Sequence, residues 1–224
     1  MNSKRKNQNR KITEAVVGIA MFAALAYGVT FVFRIPVSFL TFDAKDAVIT
    51  VASFVYGPIA GVIMSLLTAL IELFTVSGTG FYGFVMNFVS SAVFAATASG
   101  IYKLWRNPRG AVLGPVLAVL TMTGTMLLMN LWITPIYMGA PRDQVVAMIP
   151  TLLLPFNLAK GLLNAALAML LYKPLSVALS RAGLVGRGEE KKSFSWNRTS
   201  ILIAVVSLFM IAAAVILFVF LRQK

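Results

Sequence analysis

Pro155-Phe156-Asn157-Leu158-Ala159-Lys160-Gly161-Leu162-Leu163-Asn164 opens an apolar run that continues to Tyr172. The run is long enough for a membrane-spanning helix. Pro155 suits its first turn, where a missing N–H costs nothing. Asn157, Lys160 and Asn164 stand at i, i+3 and i+7. At about 100° per residue they share one helix face. A cation between two amides inside an apolar helix points to a functional site. The alternative is a lysine near a helix end that snorkels to the interface. The two asparagines on its face gain nothing from snorkelling, which favours function.

The composition agrees with a membrane setting. Of 224 residues, 59% are hydrophobic and 12% charged, with a mean hydropathy of +0.86. A soluble domain carries about 25% charged residues. The expectation is an all-α, polytopic membrane protein, because the apolar runs are too long for strands of an outer-membrane barrel. The net charge of +13 would suggest nucleic acid in a soluble chain. Here the basic residues gather in tails and turns, so membrane topology explains them and no nucleic-acid partner is expected. There is no cysteine and no histidine. That removes disulfides, thiolate metal sites and the commonest general base, so neither an enzyme nor a metal site is expected.

Along the chain, residues 1–11 form a basic cytoplasmic tail, and 12–180 a six-helix membrane domain that binds substrate. Residues 181–199 form a cytoplasmic linker and 200–224 an extra transmembrane helix. The first helix, Ala15 to Phe33, outlasts a signal-peptide h-region and is kept as a span. Within it Ala20, Ala24 and Gly28 make a small-residue stripe that allows close helix approach. Arg34 to Lys45 reads as a loop. Asp43-Ala44-Lys45-Asp46 resembles an N-cap with an acidic residue three on, opening a second helix. Tyr56-Gly57-Pro58 stops that helix early, so it must tilt or leave part of its loop packed in protein. Further helices run from Ile59 to Val76, Phe81 to Trp105 and Ala111 to Ile136, the last stopped near Pro135. A loop through Pro141-Arg142-Asp143 follows. Pro150 and Pro155 bracket the start of the sixth helix, which reaches about Ser180. The seventh, Ile201 to Leu221, has Ser207 as its one clearly polar interior residue and reads as a plain lipid-facing span. It adds no polar group to the site, so ligand binding is expected to survive its removal.

An N-terminus in the cytoplasm puts fourteen of the twenty Lys and Arg on the inner side. Glu72, Asn87, Asn130, Asn157, Lys160 and Asn164 then fall at one depth, below the outer surface. The inner halves carry hydroxyls, Ser65, Ser90, Ser91, Thr97, Thr121 and Thr123, plus Tyr172. No acidic residue lies in an inner half and no P-loop is present. The chain is therefore expected to bind a solute from outside without energising its passage. A buried Glu72–Lys160 ion pair that merely fixes packing is the alternative. Leu40, Phe42, Met64, Phe81, Tyr82, Phe84, Met86 and Trp132 lie near the same zone. Such walls suit a flat conjugated ligand, and equally an interfacial belt.

Several strings carry a family resemblance. Phe42-Asp43-Ala44-Lys45-Asp46 precedes a short helix, and Tyr56-Gly57-Pro58-Ile59-Ala60-Gly61 follows it. With six helices and the stripe in the first, residues 12–180 resemble the substrate-binding S component of an energy-coupling factor (ECF) vitamin transporter. Asn130 near Thr134-Pro135-Ile136-Tyr137, and Pro155 to Gly161, resemble the riboflavin-specific members. The resemblance implies a bacterial cell-membrane protein that captures riboflavin or a related flavin as ligand, with no cofactor. It implies toppling in the membrane, with a T component and two cytosolic ATPases as partners. It assigns ligand contacts to Asn130, Asn157 and Lys160, a lid to Arg34–Asp43, and T-component docking to Ala20 and Ala24. Asn164, Glu72, Asn87, Leu40 and Tyr82 complete the candidate substrate set. The seventh helix departs from the family's usual six. Other vitamins (thiamine, pantothenate), a stand-alone facilitator and a membrane enzyme using Glu72 and Lys160 are the competing readings.

Overall fold

The computed structural model describes residues 2–181 and 198–222; most of the linker expected at 181–199 lies outside the described residues. The order is α1 (Asn2–Val32), β1 (Arg34–Val37), β2 (Leu40–Asp43), α2 (Lys45–Tyr56), α3 (Pro58–Thr75) and α4 (Gly80–Leu104). Then come α5 (Pro108–Met138), α6 (Arg142–Met148), a π-helical turn (Ile149–Leu153), α7 (Leu154–Arg181) and α8 (Arg198–Arg222). Among the described residues, six helical segments, in α1, α3, α4, α5, α6–α7 and α8, are long and apolar enough to cross a membrane.

The short helix becomes the centre. With 12 residues α2 spans only about 18 Å, against a hydrocarbon core of about 30 Å. It packs against α1, α3, α4 and α7, and eight of its residues are buried. Gly57 adopts φ 93°, a left-handed-side conformation open to glycine, and Pro58 starts α3 at once. α3 folds back beside α2. Apolar clusters hold the bundle. Phe22, Ala26, Ile49, Met64 and Ala95 join α1 to α4. Phe94, Ala118, Met122, Ala165 and Met210 join α4, α5, α7 and α8. Val37, Phe42, Phe156, Ala159 and Leu221 join the β1–β2 strands to α7 and α8. Where α4 meets α5, a Cβ on Gly114 would fall 2.5 Å from the Ala98 carbonyl oxygen, so the backbones touch there.

Three expectations are corrected. Arg34 to Lys45 is not a plain loop. Ile35, Val37, Thr41 and Phe42 suit a pleated surface, and Arg34 to Val37 pairs antiparallel with Leu40 to Asp43. Ser38 at φ 56° opens the two-residue turn. Nor does α5 stop at Pro135. It continues to Met138 and ends on Gly139 at φ 61°, while Arg142 Nε donates to the Leu131 carbonyl that Pro135 cannot serve. Third, the stretch from Arg142 to Leu153 is helical rather than a loop. Pro150 and Pro155 each lack an N–H, and the helix adapts around them. Ile149 N–H bonds Val146 O in a tight turn, and Leu154 N–H then bonds Ile149 O in a wide one.

The seventh expected helix, α8, keeps most of its surface exposed but buries a stripe of Ser207, Met210, Ala214 and Leu221. That stripe lies on α7, so α8 is part of the bundle's packing.

Candidate functional site

The hairpin caps one end of the bundle. Beneath it lies a cleft between the hairpin, the start of α4, the second half of α5 and the start of α7. Its cavity volume is about 70 Å³. Asn87, Asn130, Asn157, Lys160, Leu40 and Tyr82 all line it. These residues come from four separate elements. Each helix contributes at the same end because α4 begins there, α5 ends there and α7 begins there. Phe39, Tyr137, Phe156, Met86 and Met126 supply the apolar walls. The Tyr137 ring lies 6.3 Å from Phe39 and 6.1 Å from Tyr82, centroid to centroid.

The amides show how the cleft can bind. Asn157 spends its NH₂ on the Leu153 carbonyl at 2.7 Å. Its Oδ1 accepts no hydrogen bond among the described residues, so an acceptor is left at the cleft wall. Asn87 likewise gives its NH₂ to Glu72 Oε2 at 3.2 Å. Asn130 donates to Met126 O at 2.7 Å and accepts from Thr134 Oγ1 at 2.8 Å. Lys160 Nζ gives one proton to Asp43 Oδ2 at 2.9 Å and keeps two for other acceptors. Aromatic walls with spaced acceptors and a cation suit a flat solute whose edge carries both carbonyls and N–H groups.

Beside the cleft lies a buried ionic cluster. The alternative Glu72–Lys160 pair is not what forms. Lys45 Nζ sits 2.7 and 2.6 Å from the two Glu72 oxygens, and Lys160 takes Asp43. Lys45 is 1% exposed, not an outer loop charge, because it starts the central α2 and projects toward α3. Asp43 is not a side-chain N-cap to α2's turn beyond one long contact from Lys45 N at 3.3 Å; the capping position is Ala44. Burial by itself raises the Asp43 carboxyl, but the Lys160 and then the Lys45 ammonium outweigh it and hold the group below its usual range. Asp46 accepts from Ser91 Oγ. Glu72 lines a smaller polar crevice with Arg34, Thr41, Asp43 and Asn87.

Asn164 lies deeper and does not line the cleft. Its Oδ1 accepts from Ala47 N at 2.9 Å, and its NH₂ donates to Asp43 O at 2.9 Å and Lys160 O at 3.0 Å. It ties α7 to the start of α2. Ser90, placed in the inner half by sequence, lines the cleft instead. Of the other expected walls, Met86 lines the cleft and Phe84 the smaller crevice. Phe42 and Met64 are core, and Phe81 and Trp132 are exposed. Ala20 and Ala24 are exposed on α1. Sequence reasoning missed Asp43, Lys45 and Asp46 as buried charges. The available signal was three charges at the start of a helix too short to span, where the preceding loop has to enter the bundle.

Fold and site together define a membrane solute-binding protein of transporter type. Residues 14–176 match the family model of the ECF transporter substrate-specific component, and the chain belongs to that family. The riboflavin transporter RibU of Staphylococcus aureus (strain TCH60) is 30% identical over 191 residues, spanning 81% of this chain and 100% of that protein. The riboflavin transporter RibU of Streptococcus thermophilus (strain ATCC BAA-250 / LMG 18311) is 25% identical over 180 residues, covering 75% of this chain and 85% of that one. The solved S component of a bacterial ECF transporter superposes with a TM-score of 0.64 at 30% identity, over 78% of this chain and 99% of that chain. The family match stops before α8.

Proposed function

We propose that this chain is the riboflavin-binding S component of an ECF transporter. It captures the vitamin from outside a bacterial cell and delivers it inward with a T component and two cytosolic ATPases. The observation that carries the reading is the convergence of Asn87, Asn130, Asn157 and Lys160 on one aromatic-walled cleft beneath the hairpin. The likeness to two riboflavin transporters supports the choice of vitamin. Riboflavin is flat, with carbonyls and an imide N–H along one edge of its ring system and hydroxyls on its ribityl chain. Asn157 Oδ1 accepts from the imide, and the Lys160 ammonium donates to a ring carbonyl. The aromatic rings cover the faces.

The N-terminus is cytoplasmic in this reading, since the basic residues crowd that side and the turn after α4. The cleft then opens outward. The exposed Ala20 and Ala24 on α1 offer the T component a smooth face. The chain moves its ligand by binding and handing over, not by catalysis. Absorbance and mass spectrometry of ligand extracted from the purified chain test the reading. A yellow preparation with stoichiometric flavin is expected. A colourless preparation holding thiamine, pantothenate or another vitamin contradicts it.

A further inference from the structure

The hairpin is pinned on both faces, to α7 within the family-matched residues and also to α8 beyond them. Strand residues alternate sides. Thr41 and Asp43 of β2 face the polar crevice, where Asp43 bonds Lys160 at 2.9 Å. Phe42, between them, points the other way and is buried. Its ring lies 6.3 Å from Phe156 of α7 at 74°, and 5.1 Å from Phe218 of α8 at 40°. Leu221 is 8% exposed and belongs to the same cluster, with Val37, Phe42, Phe156 and Ala159. Leu40 and Thr41, just before Phe42 in β2, line the cleft along with Phe156 and Lys160.

We propose that Phe218 and Leu221 of α8 are positioning residues for the binding cleft, bracing the hairpin against α7 and so slowing ligand release. The inference rests on the ligand reading above, and it revises the expectation that α8 is dispensable. α8 meets the bundle at two places. Met210 and Ala214 pack along the mid-helix stripe, and Met210 belongs to the cluster between α4, α5 and α7, away from the hairpin. Phe218 and Leu221 reach the hairpin itself. Loosening the second contact frees the cleft wall. Loosening the first loosens α8 alone.

The two sites can be compared in the full chain, in detergent. Hydrogen exchange of the 34–43 amides is measured without ligand in Phe218→Ala, Leu221→Ala and Met210→Ala. Riboflavin dissociation is then followed by flavin fluorescence. The Phe218 and Leu221 variants are expected to exchange the hairpin and release riboflavin about three- to tenfold faster than the parent chain, the range an aromatic or apolar contact commands. Phe218→Leu should recover most of the loss. Met210→Ala should leave both rates within about twofold. Equal hairpin exchange in all variants overturns the brace. Faster exchange with unchanged release overturns its role in binding. If the parent chain binds no riboflavin, the ligand reading fails, while the exchange comparison still decides whether α8 braces the hairpin.

Discussion

Lys160 Nζ lies 2.9 Å from Asp43 Oδ2, joining two residues 117 positions apart, both buried. This pair fastens the hairpin to α7 at the wall of the cleft. In the proposed function Lys160 has two tasks, a structural one toward Asp43 and a binding one toward the solute. The two tasks separate in a cycle. Lys160→Met leaves Asp43 without its nearer cation and should lower stability by about 3–5 kcal/mol. Lys160→Met with Asp43→Asn removes both charges and should recover much of that. Neither protein should regain riboflavin affinity, because the donor is gone in both. Thermal unfolding and fluorescence quenching read the two effects. Full affinity in the double variant would mean that Lys160 serves only the ion pair.

Asn164 should act as a scaffold residue. It satisfies Ala47 N–H, the Asp43 carbonyl and the Lys160 carbonyl, all inside the bundle. Asn164→Ala strands the buried Ala47 N–H, and each orphaned group costs about 1–3 kcal/mol. We expect a marked drop in melting temperature and a smaller loss of affinity than for Asn157→Ala. An unchanged melting temperature with a large affinity loss would put Asn164 in contact with the ligand instead.

Much of this was legible in the chain. The helix-forming runs, the break at Gly57-Pro58 and the Asn157/Lys160 face follow from apolar length, proline chemistry and helical spacing. The partners of Lys160 and Glu72 did not follow. Spacing within α7 orients Lys160 but carries no information about which element it meets. Lys45 looked solvated because it stood next to a loop. In fact a short helix drags its first turn into the bundle, and the charges there must find each other. The hairpin was missed because its strands are only four residues each, with Pro36 inside the first. Pro150 and Pro155, expected to bracket the start of the sixth helix, sit within one helical stretch instead. The helix absorbs them by widening one turn.

The exposed stripe on α1 should serve the partner complex and leave the cleft alone. Ala20 and Ala24 are exposed and outside the buried core. Bulk there blocks close helix approach. Ala20→Trp and Ala24→Trp are expected to bind riboflavin normally in detergent and to fail in cellular uptake. Normal uptake in both would remove this face from the docking assignment.

The central claim is that the cleft beneath the hairpin is the riboflavin site, and Asn157 tests it most directly. Asn157 lines the cleft and its Oδ1 accepts no hydrogen bond among the described residues, so its removal is expected to cost the ligand a hydrogen bond with little disturbance of the fold. Ser99, whose hydroxyl bonds Ala95 O within α4 and does not line the cleft, is the control. Riboflavin affinity is measured by calorimetry on monodisperse Asn157→Ala and Ser99→Ala proteins. The account predicts at least about tenfold weaker binding for Asn157→Ala and less than about threefold change for Ser99→Ala. Unchanged affinity in a folded Asn157→Ala protein would contradict it.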